Sequence, residues 1–559
     1  MIEYFQKDVI FMKKFKLFPL ILACLLLVSC SNVTDDGRVL RNFSDDAIQI
    51  FLSDEAITIG GETITADTSA AVYLSNDIIY YKDGTDFTYG EGTSADMHTA
   101  EEASEHKVIT ITEPGDYVLK GTLSKGQIAV DLGEDAEDDP NAVVTLALSD
   151  ANITCTVAPA IVFYNVYECG DDDEDDSTAD VDTAKAGANI IIADNTENTL
   201  NGAYVAKIYE SVELSEDKTK VVDSKKLHKY DATLYSKMSM NIYGGELGNG
   251  ILNINAENEG LGTELHLTIY GGKININSAN DGINTNEDYV SVTTIKGGEL
   301  NITVNGKTGE GDGIDSNGWL VIEGGKVNAF ACSDSMDSGL DSDKGILIRG
   351  GDVAYTGNMF DAFESKNNSV TFMFTEKQKG GVSSYTIKNK NGEEVLSVTP
   401  KNDFSQLVVV SESLSEGEYS LYCDGKLLKT STSAFGGGMR PNGGRPNPEG
   451  GARPGFEGKE MPNFEGKEIP DFKGGERPDF GGKAPENFPG DKEFKGGKRG
   501  EARPEFNGES PRERSPENMP PEFNGKMPDF SSQWTPQIDE SSFSDTFKIE
   551  KGQNNFMVK

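Results

Sequence analysis

The chain has little cysteine, histidine or positive charge. Six cysteines and four histidines occur in 559 residues. Without Cys24 and Cys30 of the N-terminal stretch, four scattered cysteines are too few for a disulfide framework, although Cys155 and Cys169 could close one loop. The histidines lack metal-ligand spacing and do not predict a zinc site. The net charge of −42 argues against nucleic acid as a partner.

Long hydrophobic runs are scarce as well. The run from Leu17 to Val28 is too short for a comfortable membrane span. It follows three lysines, so residues 1–30 predict an export signal. Leu27-Val-Ser-Cys30 resembles the bacterial lipobox, in which the cysteine is acylated, and this predicts a lipid anchor on Cys30 at the cell envelope or extracellular surface. A cleaved signal without lipid is the alternative, and residues 31–54 are expected to form a tether.

Glycine, by contrast, is abundant and periodic. The chain holds 62 glycines, and Gly-Gly pairs recur every 26 or 27 residues, beginning at positions 244, 271, 297, 324 and 350. A fixed period of this size is typical of a solenoid. The flanking segments, such as Leu267-Thr-Ile269 and Ile274-Asn-Ile276, alternate apolar with polar residues as strands do. The repeat therefore predicts a parallel β-helix, which we place at residues 55–365.

A second landmark follows each pair of strands, as in Asp281-Gly-Ile-Asn284 and Asp312-Gly-Ile-Asp315. Alignment gives an inward apolar column, predicted as Ile283, Ile314, Leu340 and Phe363. Equivalent outward residues of a solenoid lie about 4.8 Å apart, and carboxylates held so close repel one another unless a cation lies between them. We predict Ca²⁺ there, because it prefers oxygen ligands. The predicted ligands are Asp281, Asn284, Asp312, Asp315, Asp341, Asp361 and Glu364. For any single position, an ordinary turn role is the alternative.

The character of the sequence changes after the repeats. Residues 366–431 contain short strands with Asn391-Gly and Asp424-Gly turns, which predict a small antiparallel β cap over the last coil. Residues 432–531 form a low-complexity Gly/Pro/Phe repeat, expected to be a disordered tail. Residues 532–559 could return as a strand, which would make the repeat an insertion.

Several of these motifs resemble a known family. Glu113-Pro-Gly-Asp-Tyr-Val-Leu-Lys-Gly121, Glu197-Asn-Thr-Leu-Asn-Gly202 and the Asp-Gly-Ile coils are similar to a bacterial family of carbohydrate-binding domain-containing proteins. The resemblance covers roughly residues 55–430. It implies an all-β fold built on a right-handed parallel β-helix of the pectate lyase type, with calcium on the coils and adhesion to acidic or plant-wall polysaccharide without known cleavage. The longer segment Tyr204–Tyr230 and two acidic insertions depart from the family pattern.

The sequence therefore predicts a lipid-anchored surface protein that binds acidic, pectin-like polysaccharide through calcium and is not an enzyme. Tyr270 and Trp319, near coil edges, are candidates for stacking on sugar rings, and His266 is expected on the outer surface. The alternatives are a polysaccharide lyase or hydrolase on the same fold and an envelope protein that binds no glycan. A pectate-type lyase needs an arginine base, and Arg349 is the only arginine between Arg41 and Arg440.

Overall fold

The computed structural model describes residues 32–33, 39–40, 43, 46–170, 173–174, 177–359, 361–432 and 540–559. Regular structure there is nearly all β. The exceptions are helix α1 (Ala100–Ser104) and the 3-10 turns Glu134–Asp138 and Glu540–Ser542. No helix in these ranges is long and apolar enough to cross a membrane. The predicted export signal with Cys30, and the low-complexity repeat after its first residue, lie outside the described residues.

The N-terminal part begins with short strands. These are β1 (Asn32–Val33), β2 (Val39–Leu40), β3 (Ile48–Leu52), β4 (Thr58–Ile59), β5 (Glu62–Thr63) and β6 (Val72–Ser75). Helix α1 follows, and Thr99 and Glu102 form a capping box at its start, which satisfies the free amide groups of its first turn. Strand β3 pairs in parallel with Tyr117–Gly121. The predicted tether of residues 31–54 is therefore too long, because its last part is a strand of the body.

The repeating part contains twenty-four strands. They are β7 (Lys107–Ile111), β8 (Gly115–Leu123), β9 (Gly126–Asp131), β10 (Val144–Cys155), β11 (Ile161–Asn165), β12 (Ala188–Ile192), β13 (Glu197–Gly202), β14 (Val205–Leu214), β15 (Val221–Tyr230), β16 (Ala232–Ser236), β17 (Met240–Gly244), β18 (Ile251–Ala256), β19 (Glu259–Thr263), β20 (Leu267–Ile269), β21 (Lys273–Ser278), β22 (Ile283–Thr285), β23 (Val292–Ile295), β24 (Glu299–Val304), β25 (Ile314–Ser316), β26 (Trp319–Ile322), β27 (Lys326–Phe330), β28 (Gly345–Ile348), β29 (Asp352–Gly357) and β30 (Phe363–Ser365).

These strands stack into three sheets of parallel neighbours. Sheet 1 has the order β25-β22-β19-β16-β11-β9-β7, with β6 antiparallel at its end. Sheet 2 joins β12, β17, β20, β23, β26, β28 and β30, and sheet 3 joins β13, β18, β21, β24, β27 and β29. Strands β8 and β10 are long enough to start both sheet 2 and sheet 3. Strands β14 and β15 form an antiparallel hairpin between β13 and β16.

The core lies between the sheets. One column runs through sheet 2 as Ile242, Ile269, Ile295, Ile322 and Ile348, paired in register and each at most 1% exposed. The Gly-Gly pairs form the corners between sheets 2 and 3. Gly298 has φ +87°, and a Cβ there would lie 2.6 Å from the carbonyl oxygen of Gly272. Glycine recurs at this corner because both the backbone conformation and the contact exclude a side chain.

A smaller, mostly antiparallel assembly covers the last coil. Its strands are β31 (Ser369–Gln378), β32 (Tyr385–Asn389), β33 (Glu394–Val398), β34 (Phe404–Val410), β35 (Gly417–Cys423), β36 (Lys426–Leu427), β37 (Thr430–Ser431), β38 (Phe547–Ile549) and β39 (Gln553–Val558). Strand β34 pairs with β29 of sheet 3 and with β31, and β31 and β39 are the parallel pair of the assembly. Strands β38 and β39 return to β35 and β31, and Phe547 and Phe556 pack on Phe372. The cap therefore includes the C-terminal strands as well as residues 366–431.

Candidate functional site

The acidic residues of the repeat gather on the outer face of sheet 1. Asn284 pairs with Asp315 between β22 and β25, and the amide of Asp341 donates to the carbonyl of Ile314 at 2.8 Å on the next coil. The intervening Ile283, Ile314 and Leu340 are fully buried, as the inward column predicts. Because side chains alternate along a strand, Asn284, Asp315 and Asp341 point outward on successive coils.

A second column lies at the corner that precedes these strands. The Oδ1 atom of Asp281 accepts the backbone N–H of Asp312 at 2.7 Å, and the Oδ1 atom of Asp312 accepts that of Ser338 at 2.7 Å. Each carboxylate thus ties its coil to the next with one oxygen. The other oxygen of each carboxylate is left for a further partner.

Asp361 joins this group, but Glu364 does not. The side chain of Asp361 is hydrogen-bonded to Asp341. Strand β30, however, pairs with β28 in sheet 2, so Phe363 lies beside Ile346 and Glu364 beside Leu347. The prediction that Phe363 and Glu364 continue the sheet 1 columns is wrong, because the chain enters sheet 2 directly after β29. We call the remaining set, Asp281, Asn284, Asp312, Asp315, Asp341 and Asp361, the acidic face.

Burial and mutual repulsion disfavour the charged forms of these carboxyl groups. The pKa of Asp281 is raised to about 7, mainly by burial. The pKa of Asp341 is raised to about 8 by burial and by its hydrogen bond to Asp361. Burial and neighbouring aspartates also hold the pKa values of Asp312 and Asp315 well above the usual range. Within the described ranges, no lysine or arginine forms an ion pair with these four aspartates.

The column of Asp281 and Asp312 continues toward the β14–β15 hairpin, and at that end it contains a cation, the ammonium of Lys229. Lys229, next to last in β15, places its Nζ atom 2.7 Å from Oδ2 of Asp231. The neighbouring Glu259 is 4% exposed, and its Oε1 atom accepts the side-chain amide of Asn284 at 3.1 Å. The Oε2 atom of Glu259 and the Oδ1 atom of Asn284 are buried without a hydrogen-bond partner. Two buried oxygen acceptors thus remain unsatisfied beside the acidic face.

The β14–β15 hairpin forms a wall at this end. The ring of Tyr230 packs edge-to-face on Tyr164 and on Tyr235, with centroid distances of 5.4 Å. The hydroxyl of Tyr235 donates to Glu264, which also forms an ion pair with Lys226 at 3.2 Å. The hairpin thus packs against residues in or next to β11, β16 and β19 of sheet 1. The sequence shows the segment Tyr204–Tyr230 as an extra length of chain but does not show what it covers.

The two aromatic candidates differ in their surroundings. Tyr270 is 7% exposed, and its ring stacks on Tyr243 at 4.6 Å with an interplanar angle of 4°. The Lys296 ammonium lies 5.4 Å from the Tyr270 ring centroid. The prediction that Tyr270 stacks on a sugar is therefore wrong, because the ring is buried and already stacks on Tyr243. Trp319 is the first residue of β26. Its side chain is half-buried beside Gly345, and part of its surface remains exposed.

The segment between β11 and β12 explains several buried polar groups. Thr183 donates through its hydroxyl to that of Thr268 at 2.7 Å, and Asn241 donates through its side chain to the carbonyl of Thr183 at 2.7 Å. His266, expected at the surface, is 3% exposed and accepts the amide of Val292 at 3.1 Å. Burial lowers the pKa of His266 to about 4. The segment between β11 and β12 thus packs against the coils.

The loop-closing disulfide is not formed, since Cys155 and Cys169 are free thiols.

Whether the acidic face fits a metal depends on its donor set. Carboxylate and amide oxygens are the ligands that Ca²⁺ prefers, and the acidic face offers five carboxylates and one amide. The unsatisfied Oε2 atom of Glu259 adds another oxygen beside them. As the side chains stand, no group of three or more His, Cys, Asp or Glu residues in the described part of the chain converges on a metal position. The chemistry of the donors fits a hard cation, and binding would require the side chains to turn toward it.

Comparison with known proteins gives the family. The model of the carbohydrate-binding domain-containing proteins matches residues 105–392, which include β7 to β30 and the acidic face. The chain belongs to this family. A carbohydrate-binding domain-containing protein of Acetivibrio thermocellus is similar to this family member, with 28% identity over 211 residues. The aligned part is 38% of this chain and 54% of the relative, so the chain spans about half the length of the curated relative that it matches.

One solved structure also matches this carbohydrate-binding domain-containing protein. It is described as the polysaccharide lyase-like protein from C. thermocellum, in a gadolinium derivative. The match has 22% sequence identity and a TM-score of 0.27, and it covers 55% of this chain and 93% of that chain.

Proposed function

We propose that this protein is a lipid-anchored surface protein whose right-handed parallel β-helix binds an acidic, pectin-like polysaccharide through calcium on the acidic face. The observation that carries the proposal is a set of aspartates on successive coils that have no lysine or arginine as an ion-pair partner in the described residues. Asp312 illustrates it: the charges that weigh most on its carboxyl group are those of other aspartates. Such a set is costly as it stands and becomes favourable when it shares a divalent cation.

The residues suited to hold calcium are Asp281, Asp312, Asp315, Asp341 and Asp361, with Asn284 beside them. A bound Ca²⁺ ion supplies positive charge and coordination positions that protein oxygens do not fill. The chain itself fixes the spacing of the carboxylates, since Asp281 accepts a hydrogen bond from the Asp312 amide, Asp312 accepts one from the Ser338 amide, and these bonds hold three coils in register. The partner is expected to be anionic but to require the cation, because the protein carries a net charge of −42.

Binding without cleavage is supported by the state of the basic groups. A lyase needs an uncharged base, but Lys229 is held protonated, since Asp231 raises its pKa above the usual range despite partial burial. Arg349 forms ion pairs with Asp180 and with Glu323. A hydrolase needs two carboxyl groups of separate roles, whereas burial raises the pKa values of Asp281, Asp312, Asp315 and Asp341 alike. Neither arrangement favours cleavage.

The direct test is retention on immobilised polygalacturonate with calcium or with a chelator. The protein is expected to be retained only with calcium, and not on the methyl ester of the same polymer, which lacks the charge. Asp312→Asn with Asp315→Asn should abolish retention. The control, Asp135→Asn with Asp138→Asn, changes two exposed acids elsewhere and should be retained. Retention that survives chelation contradicts the proposal, and absorbance from unsaturated products would indicate a lyase instead.

The anchor has a separate test. Cys30→Ala should move the protein from the detergent-soluble membrane fraction to the soluble fraction, or block its processing. Unchanged fractionation of this variant would contradict the lipobox interpretation without affecting the binding proposal.

A further inference from the structure

Lys229 occupies an unusual position next to the acidic face. Its side chain is 40% exposed, and its Nζ atom lies 2.7 Å from the Asp231 carboxylate, whose side chain is 9% exposed. Asp231 immediately precedes β16, and Glu259 begins β19 on the following coil, where it pairs with Ala232. The Lys229 ammonium therefore pairs with one buried carboxylate, that of Asp231, while Glu259 on the next coil acts on it electrostatically.

The side-chain oxygens of Asp231, Glu259 and Asn284 are the donor atoms of a candidate cation site. Glu259 uses Oε1 to accept from Asn284 at 3.1 Å, while Glu259 Oε2 and Asn284 Oδ1 are buried without hydrogen-bond partners. A buried acceptor without a partner is costly. With the Asp231 carboxylate, these atoms provide oxygens from three successive coils, which is the donor type that a hard divalent cation binds.

The carboxyl groups at the two ends of the column thus differ in whether a basic side chain compensates them. At the hairpin end, the Nζ atom of Lys229 lies 2.7 Å from the Asp231 carboxylate, and Asp231 and Glu259 both raise the pKa of Lys229. Further along, Asp281 and the remaining aspartates have no ion pair with a basic side chain in the described ranges. The lysine is supplied by β15 of the hairpin.

We propose that Lys229 takes the place of a divalent cation at the hairpin end of the column, so that calcium binds only from Asp281 onward. This inference rests on the proposed calcium binding of the acidic face. A neutral residue at position 229 would leave Asp231, Glu259 and Asn284 as a new site for one divalent cation. The hairpin then sets where the metal-loaded part of the face begins.

The test counts calcium bound per chain after equilibrium dialysis and compares melting temperatures with and without chelator. Lys229→Met is expected to bind one more calcium ion than the wild type. It should melt below the wild type in chelator and recover with calcium. Lys229→Arg keeps the charge and should bind the wild-type number. Lys225→Met is the matched control, because Lys225 lies on the same strand and pairs with Glu210 at 2.7 Å; it should also bind the wild-type number.

If Lys229→Met does not fold in chelator, Lys229→Met with Asp231→Asn removes both charges together. This variant should fold and should gain no calcium ion. The inference is overturned if Lys229→Met binds the wild-type number of ions, or if the double variant gains one as well. A wild type that binds no calcium refutes the proposed function and the statement that calcium begins at Asp281, whereas one calcium ion bound by Lys229→Met would still support the claim that Lys229 takes the place of a divalent cation. No calcium in either protein refutes both.

Discussion

Asp281 and Asp312 are joined by one hydrogen bond, in which Oδ1 of Asp281 accepts the backbone N–H of Asp312 at 2.7 Å. The same arrangement repeats one coil later between Asp312 and Ser338. One oxygen of each carboxylate thus has the ordinary role of a turn residue. Metal binding at these positions requires only the second oxygen, so the two interpretations of the sequence motif are compatible.

Replacing two acids of this face should separate repulsion from metal binding. In chelator, Asp312→Asn with Asp315→Asn should melt at the same temperature as the wild type or slightly above, because like-charge repulsion is removed. Calcium should then raise the melting temperature of the wild type but not of the variant. Differential scanning calorimetry with and without calcium measures both effects. An equal response to calcium in the two proteins would show that these aspartates bind no metal.

The register of the core is tested at Ile322. This residue is fully buried between Ile295 and Ile348 of the adjacent coils. Ile322→Asp should destabilise the fold by several kcal/mol, because an unpaired carboxylate would enter the core. Val222→Asp is the matched control, since Val222 is 62% exposed on the hairpin, and it should melt like the wild type. Chemical unfolding curves that coincide for Ile322→Asp and the control would contradict the assigned register.

The burial of His266 should make the free energy of unfolding depend on pH. Burial lowers its pKa to about 4 in the folded state, whereas about 6.5 is usual in an unfolded chain. The unfolded state therefore binds more protons below pH 6.5, and the contribution of His266 to the free energy of unfolding is lost as the pH falls toward 4. The loss is on the order of 3 kcal/mol.

The comparison is with His266→Asn, whose side-chain oxygen can accept the Val292 amide in place of the imidazole nitrogen. Urea unfolding at a series of pH values should give a difference between wild type and variant that shrinks from pH 6.5 to pH 4. A difference that stays constant over this range would mean that His266 is not buried as a neutral group.

Because both ends of the low-complexity repeat meet in the cap, we expect that the repeat can be removed without loss of the fold. The hydroxyl groups of Ser431 and Ser542 lie 2.6 Å apart, and Thr430 and Ser544 exchange two backbone hydrogen bonds of 2.9 Å. A short Gly-Ser linker in place of residues 433–539 should therefore leave the melting temperature within a few degrees of the wild type.

Truncation after residue 432 is the contrasting variant. It also removes β38 and β39, so Phe372 loses the packing of Phe547 and Phe556. Loss of a large buried aromatic side chain costs about 3–5 kcal/mol, and the cap should unfold at a lower temperature. Equal melting of the two variants would contradict the role of the C-terminal strands.

The sequence predicts those parts of the fold that depend on local geometry. The Gly-Gly corners recur because Gly298, Gly325 and Gly351 have positive φ and close backbone contacts, and such a requirement selects glycine at a fixed position of each repeat. The alternation in β21 likewise places Ile274 and Ile276 inward. In these cases the structural requirement acts on the residue at that same position, so the residue type alone indicates the local structure.

Contacts between distant parts of the chain were not predictable in this way. Tyr270 is buried by Tyr243 and Lys296, which lie on neighbouring coils, and nothing in its own motif indicates that. Glu364 lies in a segment that matches the sheet 1 pattern, but β30 pairs with β28 because that coil contributes no sheet 1 strand. The position of Lys229 depends on how the hairpin folds back over sheet 1.

The central claim is that one set of calcium ions both stabilises the acidic face and binds the glycan. The most direct measurement is a titration of free calcium in which melting temperature and retention on polygalacturonate are followed in the same samples. A ligand that binds only the folded state stabilises it by about RT ln(1 + [L]/Kd), so the two readouts should rise over the same range of calcium concentration. Retention that is already complete in chelator, or that rises without any change in melting temperature, would contradict the account.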